Sequence, residues 1–323
     1  MPAVVAVDGP PAALEGVLAP LRAGLDGELP IRAADKILIG TWNIRDFARL
    51  SAKWDAGSDD SPKRNLADVC ALAEIVSHFD VIAIQEVRGD LTALRTLLRR
   101  LGSDWGFLTT DVTAGDRGND ERLTYVFDRR TLRPSGLVGE LVIDEATFGD
   151  QATPLRHQFA RTPYLVSFAS LDERVAFTLL TLHIDYGKEP AERTPEINTF
   201  ANRLKAAAED PDEFSRNLIA LGDFNIDRWA DPNGEAFVST GLTPPQELLD
   251  QPRSIFDSPT AKHFYDQIAW FTAGDREQLT LRYTSHAGRF EWTRYLLTDL
   301  SNVAKSWRIS DHYPLWAQFA RPA

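Results

Sequence analysis

Eight short apolar runs recur along this chain: KILIGTW (36–42), DVIAIQ (80–85), RLTYVFD (122–128), YLVSFA (164–169), VAFTLLTLHI (175–184), NLIALGDF (217–224), HFYDQIAWF (263–271) and YPLWAQF (313–319). They are rich in β-branched and aromatic residues, and several are continuously apolar rather than alternating. Such runs predict strands buried on both faces. A sheet buried on both faces must be covered on each side by another layer. Helical patterns lie between the runs. One is expected to start near Ser61-Pro62, with serine as cap and proline in the first turn, presenting Leu66, Val69, Ala73 and Val76 on one side. A second starts at Asp90 and carries Leu91, Leu94, Leu98 and Leu101 before Gly102, and a third covers 190–208. No Pro/Gly/Ser-rich linker divides residues 36–320. The expectation is one α/β domain of two packed sheets flanked by helices.

Residues 1–34 differ from the rest. Pro10, Pro11, Pro20 and Pro30 surround a helical apolar pattern of Leu14, Val17, Leu18, Leu21 and Leu25, which reads as an appended helical extension to a domain spanning 35–323. The opening residues lack a basic segment and meet Asp8 early, so no secretory signal is expected, and no apolar run approaches the roughly 20 residues of a membrane span. Together with a single cysteine, Cys70, this points to a cytoplasmic protein without disulfides. The polar stretches 51–61, 111–120 and 228–262 read as loops. Net charge is −12, from 35 basic and 47 acidic residues, which excludes a protein that coats nucleic acid through an overall positive field. It does not exclude an enzyme that concentrates carboxylates around metal.

Polar side chains capable of chemistry sit at the ends of the apolar runs, where a sheet edge would deliver them to one place. They are Asn43 in GTWNIRDF, Glu86 in IAIQEVRGD, His183 in LTLHID, Asp223 and Asn225 in LGDFN, and Asp311 and His312 in SDHYPL. Singly, Asn43, Asp223-Phe224-Asn225 and Ser310-Asp311-His312 each suit an ordinary turn. In this order, the segments resemble the motifs of the endonuclease/exonuclease/phosphatase superfamily, over roughly residues 36–320. The resemblance implies a four-layer α/β/β/α sandwich of two packed mixed sheets. QEVR at 85–88, ERLTYVF at 121–127, FARTP at 159–163 and YDQI at 265–268 are similar to its deoxyribonuclease I branch. One departure is Thr162, where that branch usually carries an acidic residue.

The resemblance implies a division of labour. Glu86 as an anionic oxygen, Asn43 as a neutral amide oxygen and Asp311 would hold a divalent metal, Mg2+ or alternatively Mn2+ or Ca2+. Asp223 would orient or deprotonate the attacking water, although local chemistry equally allows a second metal ligand, and Asn225 would hold the phosphate. His183 with Glu121, and His312 with Asp266, would form imidazole–carboxylate pairs, either of which could supply the general acid. Arg88, Arg161 and Arg45 are candidates for phosphate contact. His78, His157, His263 and His286 are expected at the surface or in structural roles, Tyr125 and Cys70 in the core, and Trp54, Trp105, Trp229, Trp292 and Trp307 in core or rim. The expected activity is metal-dependent hydrolysis of DNA phosphodiesters. A phosphatase or phosphodiesterase acting on a lipid headgroup or small phosphoester shares the same residues, and a silent binding module would have lost some of them.

Overall fold

The computed structural model describes residues 9–113, 118–141, 159–209, 217–272, 279 and 281–321. His157 lies outside that set. Each of the eight apolar runs forms a strand. They are β1 (Lys36–Phe47), β2 (Val81–Arg88), β4 (Glu121–Asp128), β6 (Tyr164–Ser170), β7 (Ala176–His183), β8 (Leu218–Ile226), β10 (Phe264–Phe271) and β12 (Leu315–Ala320). Four further strands had no apolar run to announce them: β3 (Trp105–Thr109), β5 (Leu132–Glu140), β9 (Leu242–Thr243) and β11 (Arg282–Arg289). β3, β5, β9 and β11 all lie at sheet edges, where exposed faces tolerate polar residues, Gly136 and Pro134.

The strands build two six-stranded sheets, ordered β11-β12-β1-β2-β4-β3 and β5-β6-β7-β8-β10-β9. β1 pairs with β2, and β7 with β8, in parallel; the other pairs are antiparallel, so both sheets are mixed. The sheets face each other through Ile37, Ile39, Val81 and Ala83 on one side and Leu179, Ile219 and Leu221 on the other. Alternate residues of the same strands point outward. Leu38, Trp42, Ile82 and Ile84 meet helices α2 (Leu66–Val76) and α3 (Thr92–Leu101), while Leu180, Leu182 and Ala220 meet α4 (Thr194–Glu209) and α5 (Pro232–Val238). The continuously apolar stretches follow from this: both faces of β1, β2, β7 and β8 are covered, so apolar and polar residues need not alternate. The result is the α/β/β/α sandwich.

Two local expectations need correction. Helix α2 begins after Ser61-Pro62, at an Asn65 cap. The Asn65 side chain accepts from the Asp68 amide and the Asp68 carboxylate accepts from the Asn65 amide, both at 2.9 Å. The Ser-Pro signal was outweighed by a reciprocal pair that satisfies two helix-end donors. The stretch 228–262 is not simply a loop: it holds α5, capped by Asp231, then β9 and a 3-10 turn at Gln246–Leu248. Helix α6 (Asn302–Arg308), capped by Ser301, precedes the last strand.

The N-terminal helix α1 (Ala13–Glu28) is packed on the domain. Leu14, Leu18, Leu21 and Leu25 join the same core cluster as α2 and β1, and Arg22 makes paired hydrogen bonds to Glu74 of 2.9 and 2.8 Å. Among the described residues, no helix is long and apolar enough to cross a membrane.

Candidate active site

The strand directions explain why distant residues meet. Asn43, Glu86, His183 and Asp223 lie toward the C-terminal ends of β1, β2, β7 and β8, whereas Glu121 and Asp266 open the antiparallel β4 and β10, and His312 precedes the antiparallel β12. All seven therefore come to one edge of the sandwich. Ladder register does the rest: His183 and Asp266 are both opposite Asp223, and Glu121 is opposite Arg88. Asp46, Glu86, Asn225 and Ser285 depart from ordinary strand geometry, and two of these bear on the site. Glu86 sits at φ 61° where the β2 registers shift, and Asn225 at φ 51° where the β8–β10 register shifts. A non-glycine residue held in the left-handed region costs about 1–3 kcal/mol and persists only where surrounding contacts impose it. Glu86 is held by the Asp46 amide (2.8 Å) and the Asn43 amide group (3.1 Å); Asn225 by the Ile184 carbonyl (2.7 Å) and the Asp223 carboxylate (2.9 Å).

Asp223 is the hub. Its Oδ2 accepts a hydrogen bond from Asn43 Nδ2 (3.0 Å) and lies 3.7 Å from His183 Nε2 and 4.0 Å from His312 Nε2. Each ring is anchored through its other nitrogen, His183 Nδ1 to Glu121 at 2.8 Å and His312 Nδ1 to Asp266 at 2.5 Å. A carboxylate on Nδ1 fixes the tautomer and the ring plane, leaving Nε2–H aimed at the hub. Burial would push His312 down, but Asp266 and Asp223 outweigh it and hold the imidazole well above its ordinary value. Burial and Arg161 would also lower His183, yet Glu121 and Asp223 hold it above its ordinary value. Asp223 is correspondingly lowered: burial opposes ionisation, and the two imidazoles overcome it. Both rings thus favour the cationic form beside an ionised aspartate.

Glu86 and Asp311 line two adjoining clefts. One, of about 340 Å³, continues past Asn43, His183, Asp223, Asn225 and His312; the other, of about 400 Å³, runs past Arg45, Arg88 and Trp307. Asn43 Oδ1 and Asp311 Oδ1 are buried acceptors with no donor. Such oxygens, next to the Glu86 carboxylate, form a hard donor set suited to a divalent cation. Asp223, Asp266 and His312 also come within 4.8 Å of one another, close enough for a metal centre. There, however, the 2.5 Å contact between His312 and Asp266 is a hydrogen bond that holds a proton.

A family model described as Endonuclease/Exonuclease/phosphatase family matches residues 40–312, from β1 to the His312 motif. The chain belongs to this family. A curated protein, a deoxyribonuclease from Thioalkalivibrio sp. (strain K90mix), is 30% identical over 225 residues, covering 67% of this chain; the chain spans only 55% of that relative's length. Solved structures share the fold at lower identity. TDP2 from D. rerio, complexed with single strand DNA product, is 15% identical and covers 88% of this chain and 98% of its own, with TM-score 0.53. The mannosyl-6-phosphatase of Bacteroides thetaiotaomicron VPI-5482 is 16% identical and covers 88% of this chain and 99% of its own, with TM-score 0.55. The two sheets and flanking helices are thus the sandwich of an endonuclease/exonuclease/phosphatase family of phosphoester hydrolases.

Asn43, Glu86, His183, Asp223, Asn225, Asp311 and His312 line the first cleft, with Glu121 and Asp266 buried behind the imidazoles. Arg88 lines the second cleft, tied to Asp46 (3.1 Å) and Glu121 (3.2 Å). Arg161 does not face a cleft. Its guanidinium is buried against Glu121, with contacts of 2.6 and 3.1 Å, and donates to the His183 carbonyl at 3.3 Å. The anion it meets in this structure is the Glu121 carboxylate, which a guanidinium suits as well as it suits phosphate. His263, expected at the surface or in a structural role, lines the first cleft, stacked on Tyr265 at 4.9 Å and bonded to Asp257 at 2.9 Å. Tyr186, Phe256 and Tyr265 also line it. Tyr265 opens the YDQI segment and Tyr186 follows HID directly, whereas Phe256 had no motif to mark it. Trp307 is exposed in the second cleft, with the Arg45 guanidinium 3.9 Å above its ring.

Proposed function

We propose that this chain is a divalent-metal-dependent phosphodiesterase that hydrolyses DNA through attack of water on phosphorus. The observation that carries this reading is the pair of carboxylate-backed imidazoles, both with Nε2 turned toward Asp223 beside the Asn43, Glu86 and Asp311 oxygens. In-line hydrolysis needs a positioned water, neutralised phosphoryl oxygens and a proton for the leaving oxygen. Asp223, ionised between two cations, orients the water and accepts its proton. Asn225 holds a non-bridging phosphoryl oxygen. One imidazolium Nε2–H donates to the phosphoryl group and the other protonates the leaving oxygen, so the P–O bond breaks without releasing a bare alkoxide. Glu86, Asn43 and Asp311 would hold the cation, which supplies Lewis-acid neutralisation of the phosphoryl charge. Arg45 and Arg88 in the adjoining cleft suit a second, flanking phosphate, which a polymer has and a monoester lacks.

A small phosphoester is the second reading. It is favoured by the net charge of −12 and by clefts of a size that suits small ligands. A plasmid-nicking assay with magnesium, manganese or chelator, run beside a panel of phosphomonoesters, separates the two. Metal-dependent nicking abolished in Asp223→Ala supports the nuclease; phosphate released from monoesters with intact plasmid rejects it.

A further inference from the structure

Large aromatic side chains are unevenly exposed. Among the described residues, four of them have more than a third of their surface in solvent: Phe107, Tyr186, Phe256 and Trp307. Three of these four line the two clefts, and Tyr186 and Phe256 line the one that holds the imidazoles. Exposed aromatics gathered at the mouth of a polar site mark a contact surface, since their exposure is unfavourable unless something covers them.

The Tyr186 ring is held from behind, and the segment that carries Phe256 is pinned. Tyr186 is 55% exposed, yet one face lies 4.1 Å from the guanidinium carbon of Arg193, a fully buried side chain. Arg193 is itself fixed by the carbonyls of Tyr186 and Asn225, each at 2.7 Å, and by Asp227 at 2.8 Å. The same buried cation therefore sets both the Tyr186 ring and the backbone of the phosphate-facing Asn225. Phe256 is 50% exposed on a segment pinned by Asp257, whose buried carboxylate accepts from the amides of Arg253 (2.9 Å), Ser254 (3.0 Å) and His263 (3.2 Å). Tyr265 lines the same cleft, in edge contact with Tyr186 and stacked on His263. Pre-positioned rings lose little entropy when a planar ligand arrives.

We infer that Tyr186 and Phe256 form a stacking platform for an unpaired nucleobase attached to the scissile phosphate, so that the enzyme favours single-stranded or locally opened DNA. This rests on the nuclease reading and narrows its substrate class. A planar base matches the rings, which offer no base-edge hydrogen-bonding code, so the platform takes any base. A paired base is already stacked on its neighbours and presents only its edge.

The test uses oligonucleotides with a single cleavable phosphodiester, the other linkages being blocked. One set carries a base on the nucleotides flanking that linkage, the other carries abasic tetrahydrofuran there, each as single strand and as duplex. Wild-type enzyme is expected to cleave the base-bearing single strand best. In Tyr186→Ala and Phe256→Ala, the ratio of kcat/KM for base-bearing over abasic substrate should fall about tenfold or more, the effect of one lost stack. Tyr186→Phe should keep the ratio, and thermal unfolding verifies that all variants are folded. A wild-type enzyme indifferent to the base, or variants whose loss is equal on both substrates, overturns the platform while leaving the nuclease intact. A wild-type enzyme that cuts none of the oligonucleotides overturns both.

Discussion

Arg161 and His183 grip the same carboxylate. Glu121 Oε2 lies 2.6 Å from Arg161 Nε and 2.8 Å from His183 Nδ1, so the charge that fixes the imidazole is itself fixed by a buried guanidinium. In the proposed reaction Arg161 would act as a positioning residue, through Glu121 and His183. Arg161→Ala should lower kcat about tenfold to a hundredfold as His183 loses its alignment, with KM little changed. Were Arg161 a phosphate contact, KM would rise instead. Steady-state kinetics on a defined oligonucleotide distinguishes the two patterns.

The same triad predicts a pH dependence of stability. Burial opposes ionisation of Glu121, but His183, Arg161 and Arg88 overcome it and bring its pKa from 4.5 to about 2. A carboxyl lowered on folding stabilises above its unfolded value and loses that contribution as pH falls through the folded one. His183 is raised, so its contribution is complete below its unfolded value of 6.5 and is lost as pH rises through the folded value. The attraction appears in both shifts and counts once. Glu121→Gln should therefore be most destabilised relative to wild type between about pH 4.5 and 6.5, by about 2–3 kcal/mol, with the gap closing toward pH 2. Denaturant titrations at stepped pH measure it; a gap independent of pH would mean the triad contributes shape alone.

The two imidazoles should not be interchangeable with neutral amides. His183→Gln and His312→Gln each remove a cationic Nε2 donor beside Asp223, and each should lower kcat by about two to four orders of magnitude. The double variant should lose less than the product of the two, because both act on one transition state.

The apolar runs made the inner strands and the site legible together. Asn43, Glu86, His183 and Asp223 each end a run buried on both faces, so a polar group there had to reach the sheet edge. What stayed illegible depends on contacts across the chain. Arg193 looks like any surface arginine after PAE, yet it is buried under Tyr186 because Asn225 and Asp227 lie 32 and 34 residues further on. His263 gains its place from Asp257 and Tyr265 through a turn with no periodic signature. The contact of Arg161 with Glu121 was not legible, because guanidinium chemistry does not say which anion lies nearest.

Helix α1 gives a prediction independent of activity. Leu21 and Leu25 have no exposed surface and pack in the cluster shared with α2. Leu21→Ala or Leu25→Ala should destabilise the domain by about 2–5 kcal/mol, the range for emptied leucine sites in a core. Removal of residues 1–34 should lower the melting temperature further, since it strips one side of the α2 layer. If the truncated chain melts where the full chain does, the helix is a passenger on the fold.

Metal loading can be read without turnover. Glu86, Asp311 and Asp223 bring three carboxylates to one cleft, and the Asn43 and Asp311 oxygens without donors make an acceptor-rich edge that a cation would stabilise. A ligand that binds only the folded state adds about 2.7 kcal/mol at a hundredfold excess over its Kd. Manganese or magnesium should therefore raise the melting temperature of wild type, and chelator should reverse the gain without unfolding the chain. In Glu86→Gln the gain should be largely lost; in Asp266→Asn, which disturbs only the His312 pair, it should persist. The opposite ranking would place the cation among Asp223, Asp266 and His312, and would make the short contact between His312 and Asp266 part of a metal centre in place of a proton relay.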